Sequence, residues 1–181
     1  LLALDWNNGN RTILVDPLLT GLLVGQTLHT SSAEVYRAVI EATAFGAKVI
    51  VNRLEEYGVE VKEVVCCGGI AEKSPLVMQI YADILNKPIK ISRSALTCAL
   101  GGAIFGSVVG KAHASVDEAV AKMTGTKPEI FEPKPENVRI YRELQVLYQT
   151  LHDAFGAVKQ SESLGNIMKH LIMIRDKVRH G

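Results

Sequence analysis

Metal-ligand spacing, a disulfide framework, an apolar run of membrane length and an excess of either charge are all missing from this sequence. The three cysteines form no C-x-x-C, and His29, His113, His152, His170 and His180 are scattered, so no metal-binding pattern is present. Cys66 and Cys67 are adjacent, and neighbours on an extended strand point to opposite faces, which makes a bridge between them geometrically poor. With Cys98, they are expected as reduced, buried thiols in a cytosolic setting, and no paired base marks any of them as a nucleophile. Charge is balanced, with 20 Lys and Arg against 19 Asp and Glu, which argues against an electrostatically driven nucleic-acid or membrane binder. The basic residues near the end, among them Lys169, Arg175 and Arg179, are diluted by Asp153, Glu162 and Asp176 without interleaved aromatics, and read as a solvated helix face. Apolar runs such as Ala38-Val39-Ile40 are short and broken by charge, so none spans a bilayer. Leu1-Leu2-Ala3-Leu4 meets Asp5 at once and has no basic flank, unlike a secretory leader. A first residue other than Met leads to the expectation of a fragment or processed piece.

What is present is an average globular composition, 181 residues with 48% hydrophobic, enough for one good-sized core or two small ones. Asp5 to Leu28 is rich in Gly, Asn and turn residues and reads as loop, with an edge strand around Gln26-Thr27-Leu28. Ser31-Ser32-Ala33-Glu34 is a capping box that opens a helix of about two dozen residues, ended by Gly58. Its expected apolar stripe takes in Val35, Ala38, Val39, Ala42, Phe45, Gly46, Val49 and Leu54, with Glu41 as a buried, paired carboxylate. Val61 to Cys67 predicts a buried strand, and Ser74-Pro75 a helix that buries Leu76, Met78, Ile80, Tyr81, Ile84 and Leu85 and stops at Asn86. A short strand over 88–91 follows, then a helix from Cys98 to Val109 capped by Thr97. Ser115-Val116-Asp117-Glu118 is a second capping box, for a helix to about Met123, and Thr124 to Pro133 reads as linker. A helix from Pro135 to Phe155 should bury Val138, Tyr141, Leu144, Leu147, Tyr148 and Leu151, and an amphipathic helix over about 161–178 ends the chain. This order of strands and helices predicts an α/β layered domain over 1–156 with a helical C-terminal tail at 157–181.

Three segments can carry chemistry. Cys66-Cys67-Gly68-Gly69-Ile70-Ala71-Glu72-Lys73-Ser74-Pro75 takes a strand through two glycines into a helix, where a flat or anionic ligand can approach the backbone; a plain tight turn is the other reading. It is neither G-x-G-x-x-G nor a P-loop. Gly101, Gly102 and Gly106 within one helix each cost about 1 kcal/mol relative to Ala, which suggests close approach by a neighbouring helix, the sheet or a bound ring, with close packing the preferred explanation. Asp5-Trp6-Asn7-Asn8-Gly9-Asn10-Arg11-Thr12 crowds polar side chains round the single Trp, as a binding loop does and as a turn with a packed Trp also does.

Together, in this order, these segments resemble the C-terminal lobe of the FGGY carbohydrate kinases. Leu4 to Thr12 is similar to the segment that ends in Gly-Glu-Arg-Thr in xylulose-type members, with Asn10 in place of Glu, a departure shared by the branch that phosphorylates L-ribulose. Tyr36 to Ala47 resembles the family helix that follows, Gly68 to Ser74 its adenosine motif, and Thr97 to Ala103 its closing Ala-Leu-Gly-Ala-Ala helix. Tyr148 to Asp153 resembles the tail of the same branch. The resemblance covers roughly residues 1–156 and implies a ribonuclease H-like or actin-like ATPase lobe, incomplete at its N-terminal side. It implies ATP and Mg²⁺, with γ-phosphoryl transfer to a hydroxyl of L-ribulose in the cytoplasm. It places Gly68, Gly69, Ile70, Ala71 and Lys73 at the nucleotide, and Trp6, Asn8, Asn10 and Arg11 in a substrate-side or interlobe loop. The catalytic Asp and the sugar pocket belong to segments that precede Leu1, so no catalytic or metal-binding residue is assigned here, and the chain alone is expected to be inactive. Partners are ATP or ADP and a sugar held by the preceding lobe, with no nucleic acid or membrane; a homo-oligomer is allowed but not required. Two alternatives stay open: a xylulose-type or glycerol-type kinase, against which Asn10 argues, and a non-enzymatic module in which Gly68-Gly69 is a turn and the tail helix docks a partner.

Overall fold

The computed structural model describes residues 1–158. In chain order the elements are β1 (Leu2–Leu4), β2 (Leu22–Val24), α1 (Ser32–Glu56), β3 (Val64–Cys66), α2 (Gly69–Lys73) and α3 (Pro75–Leu85). They continue with β4 (Ile89–Ser92), α4 (Thr97–Val109), α5 (Val116–Met123), β5 (Thr126–Phe131) and α6 (Pro135–Phe155). Two compact units result, one made of Leu1–Glu60 with the chain from Pro135 onward, the other of Val61–Lys134. The helix expected over 161–178 lies outside the described residues.

In the first unit β1 and β2 pair antiparallel, Leu2 opposite Val24 and Leu4 opposite Leu22. The edge strand expected at Gln26 to Leu28 is therefore corrected to Leu22–Val24, since the left-handed φ of Gly25 (90°) turns the chain out of the ladder. α1 starts at the predicted capping box: Ser31 Oγ accepts from the Glu34 N–H at 3.3 Å, and Glu34 Oε2 accepts from the Ser31 N–H at 2.7 Å. Its buried line runs Ala38, Glu41, Ala42, Phe45 and Val49, with Ala44 and Val51 beside it. Val39 and Leu54, expected in the stripe, are exposed; Val39 sits one step, about 100°, round the helix from Ala38 and so leaves the packed face. α6 has the predicted bounds and buries Val138, Tyr141, Tyr148 and His152, while Leu147, one step from Tyr148, faces solvent. Phe45 stacks on Tyr148 with ring centroids 5.2 Å apart and meets Tyr141 edge-on at 6.0 Å, so three aromatics join α1 to α6.

In the second unit β3 and β4 pair parallel, Val64 opposite Ile89 and Cys66 opposite Ile91, with α2 and α3 as the crossover. β5 pairs antiparallel with β4 on its other side, giving the order β3-β4-β5. The central strand has its core face in Ile89 and Ile91, packed with Met78, Ile80, Ile84 and Leu85 of α3 and with Phe131 among the buried residues of the unit. The segment 124–133 is thus not the expected linker: most of it is a strand, and Pro128 is tolerated because β5 is an edge. β3 is shorter than the predicted buried strand and half-open, with Val65 50% exposed, because it too is an edge of this sheet. Leu76 is exposed in the first turn of α3, and Asn86 ends that helix in the left-handed conformation as predicted. Ser115 caps α5 through the Glu118 N–H, but Glu118 returns its carboxylate to Ala114 N–H at 2.8 Å, so the box is offset by one residue. Among the described residues no helix is long and apolar enough to cross a membrane.

Candidate functional site

β3 ends where the chain must leave the sheet edge, and Cys67-Gly68 makes that exit. Gly68 has φ 89° and ψ 176°, a conformation strained for any residue with a Cβ, so glycine is required there by the backbone. A Cβ added at Gly68 or Gly69 would meet nothing within 4 Å. The loop is therefore not a close-packed turn; its outer side is open backbone that a ligand can reach. Ile70 is exposed beside it and so is Lys73, whereas Ala71 turns inward as the buried residue that seats α2. Glu72 fastens the same short helix to β5 through an ion pair with Lys127 at 2.8 Å.

The first turn of α4 stands next to this exit. Thr97 does not cap its helix, since Leu96 holds the N-cap position without a side-chain bond. The Thr97 hydroxyl instead donates to Cys67 Sγ at 3.4 Å, which ties the start of α4 to the residue before Gly68. From there α4 is open: Ile104 is its buried residue, and Cβ atoms at Gly101, Gly102 and Gly106 would touch nothing. Close packing, the preferred explanation for these glycines, is corrected: within the described chain nothing crowds them. The cysteines are corrected too. All three are free thiols, but Cys67 and Cys98 are exposed and Cys66 is only half-buried. Burial, with a smaller contribution from the neighbouring Cys67, pushes the Cys66 thiol above its usual range.

The loop between β1 and β2 is built differently. Trp6 is buried, 2% exposed, and meets His152 of α6 edge-on with ring centroids 5.4 Å apart. Asn10 Oδ1 accepts from the N–H groups of Ile13 (3.3 Å) and Leu14 (3.1 Å), and its backbone exchanges two bonds with Asp16. Asn8 and Arg11 are exposed at the tip. The structure thus separates the four residues: Trp6 anchors the loop, Asn10 shapes it, and Asn8 and Arg11 are the side chains it presents. Beneath lies a buried polar group. Burial holds the Asp5 carboxyl above its ordinary value, offset in part by its backbone and by His152. Tyr148 OH and His152 Nε2 are buried there without hydrogen-bond partners.

Glu41 is paired as expected. Its Oε1 accepts from Arg37 Nε at 2.7 Å and from Tyr141 OH at 2.8 Å, and Arg37 also donates to the Tyr141 oxygen at 2.9 Å. Burial and the bond to Glu41 push the Tyr141 phenol up to about 12. Sequence spacing shows the Arg37–Glu41 pair one helical turn apart but gives no sign of Tyr141, which lies on another helix. The Thr97–Cys67 contact, between residues far apart in sequence, was equally invisible. Among the described residues no three His, Cys, Asp or Glu side chains are placed to hold a metal ion.

Comparison with known proteins bears on both segments. The model of the C-terminal domain of the FGGY family of carbohydrate kinases matches residues 1–109, which include the Asn10 loop, the glycine exit and all of α4. The ribulokinase of Halalkalibacterium halodurans is 49% identical over 175 residues, covering 94% of this chain and 30% of that protein. The ribulokinase of Shouchella clausii is 45% identical over 185 residues, covering 100% of this chain and 32% of that protein. The chain therefore spans about a third of the length of these relatives. A ligand-bound xylulose kinase from Lactobacillus acidophilus superposes with a TM-score of 0.75 at 23% identity, over 86% of this chain and 31% of that one, which shows the shared fold.

Proposed function

The chain belongs to the FGGY family of carbohydrate kinases, and on that premise we propose that it is the nucleotide-side, C-terminal part of an ATP-dependent L-ribulose kinase. The observation that carries the reading is the open backbone at Gly68 and Gly69, at the end of a parallel strand and beside the first turn of α4. Gly68 and Gly69 would lie against adenosine, with Ile70 and Lys73 flanking the nucleotide and Ala71 holding α2 in place from within. The small residues of α4 would give the base a flat wall, which accounts for three helix glycines that nothing in the chain crowds.

The reaction is transfer of the ATP γ-phosphoryl group to a hydroxyl of L-ribulose. Such transfer needs in-line placement of the hydroxyl, a carboxylate to accept its proton and a divalent ion to offset phosphate charge. The described residues do not fit a metal cage, so Mg²⁺ would arrive on the ATP phosphates and no step is assigned to this chain's side chains through it. The carboxylate and the sugar contacts would come from the portion of the kinase outside this chain. A cytoplasmic setting goes with ATP as substrate. L-Ribulose is preferred over D-xylulose or glycerol because Asn10 replaces the Glu of the xylulose type and because the ribulokinase relatives reach 49% identity. The test is turnover by the intact kinase with each of the three substrates. A clear kcat/KM preference for L-ribulose supports the reading, and a preference for either rival overturns the substrate while leaving the family untouched.

A further inference from the structure

Packing explains the ring of Tyr148 but not its hydroxyl. The side chain is fully buried and stacks on Phe45 of α1, while its OH has no hydrogen-bond partner among the described residues. Burying a hydroxyl unpaired is costly, and folded proteins nearly always satisfy such a group with protein or with water. Burial, with a smaller contribution from the Asp5 charge, pushes the Tyr148 phenol up, so it stays an O–H donor that needs an acceptor.

Gly46 marks where that acceptor lies. It is an interior residue of α1, where glycine is disfavoured relative to alanine. A Cβ added there would stand 3.4 and 3.6 Å from the two Asp5 carboxylate oxygens and 3.6 Å from the Tyr148 oxygen. Carboxylate and hydroxyl thus flank one point and are no more than about 7 Å apart, yet they do not bond directly. A polar pair held apart at this range is the setting in which one water bridges both groups. Asp5 is half-buried and lines a cavity of about 240 Å³ with Asn7, Gly21 and Leu22, so solvent has a way in to the carboxylate.

We propose that a buried water molecule beside Gly46 joins the Asp5 carboxylate to the Tyr148 hydroxyl. The Tyr148 O–H donates to the water and the water donates to Asp5, so each bond has one donor and one acceptor. Two oxygens are too few to replace the hydration of a metal cation, and Asp5 repels an anion, so water is the ligand that suits the pair. The bridge ties the residue after β1 to α6 across the surface of α1. It also gives Gly46 a reason that helix propensity does not: a methyl there would stand against both oxygens and take the water's place.

The experiment compares crystal structures and melting temperatures of the intact kinase and its Tyr148→Phe and Gly46→Ala variants. The proposal predicts a water at hydrogen-bond distance, about 2.7–2.8 Å, from both Tyr148 Oη and an Asp5 oxygen in the unsubstituted protein, and its loss from both variants. Tyr148→Phe keeps the ring and should shift the melting temperature down, because a bond in use is removed; deleting an orphaned hydroxyl would leave the temperature unchanged or raise it. Gly46→Ala should shift it down as well, against helix propensity. A direct Asp5–Tyr148 hydrogen bond, or no water within reach of the two, would overturn the proposal, and so would a Tyr148→Phe protein that melts no lower than its parent. A water that persists unchanged in Gly46→Ala would overturn the role given to the glycine.

Discussion

Tyr141 donates its hydroxyl hydrogen to Glu41 at 2.8 Å, joining α6 to α1 across a hundred residues of chain, and Arg37 closes the triangle from the next turn of α1. Glu41 is almost fully buried, so losing either donor leaves a buried carboxylate oxygen with fewer partners. Tyr141→Phe removes one donor and keeps the ring packed on Phe45. It should lower stability by about 1.5–3 kcal/mol, the range for a hydrogen bond to a charged group, read as a shift in the urea midpoint at unchanged slope.

The Asp5 carboxyl gives a pH-dependent prediction. Burial raises its folded-state value above 3.8, so the folded protein takes up this proton before the unfolded chain does as pH falls. The resulting contribution is fully present below 3.8 and is lost as pH rises through the folded value. Asp5→Asn, which cannot titrate, should therefore compare better with wild type at neutral pH than at about pH 4. Denaturation midpoints of both proteins at the two pH values check this; an equal difference at both would show that Asp5 does not titrate abnormally.

Trp6 packs on His152 at the base of the β1–β2 loop and is the only tryptophan. Trp6→Ala should cost about 3–5 kcal/mol through the cavity it leaves. Fluorescence supplies a second readout, since the buried indole should emit at shorter wavelength in the folded protein than in urea.

Two glycines separate strain from clash. Gly9 has φ 76°, and a Cβ there would come 2.6 Å from Pro17 Cα; Gly68 has φ 89° with empty space around it. Gly68→Ala should cost about 1–3 kcal/mol from backbone strain alone, and Gly9→Ala clearly more, because Pro17 must also move. Melting temperatures of the two variants order them, and the reverse order would contradict the loop geometry.

Much of this was readable from residues. Ser31 and Glu34 mark the start of α1 because a cap is a local device, complete within four residues. Asn86 and the bounds of α6 were legible for the same reason, and the Gly68-Gly69 motif was legible through its family resemblance. What failed depends on neighbours distant in sequence. Val39, Leu54, Leu76 and Leu147 obey apolar patterning yet face solvent, since composition shows that a face is apolar and packing decides which. β5 was hidden by Pro128 and two charged residues, which an edge strand accepts and a central one does not. The glycines of α4 read as a sign of close packing, yet within the described chain nothing would meet a Cβ at any of the three, because an open helix face accepts the same small residues as a packed one.

The central claim is that the open backbone at Gly68 and Gly69 receives the nucleotide. Its most direct test is an ADP–Mg²⁺ titration followed through backbone amide resonances. The account predicts shifts concentrated at Gly68, Gly69 and Lys73 and along the Gly101-Gly102 turn of α4, weakened in Gly69→Val. A well-dispersed spectrum in which those amides stay still while ADP binds elsewhere, or in which none moves at millimolar ADP, would contradict it.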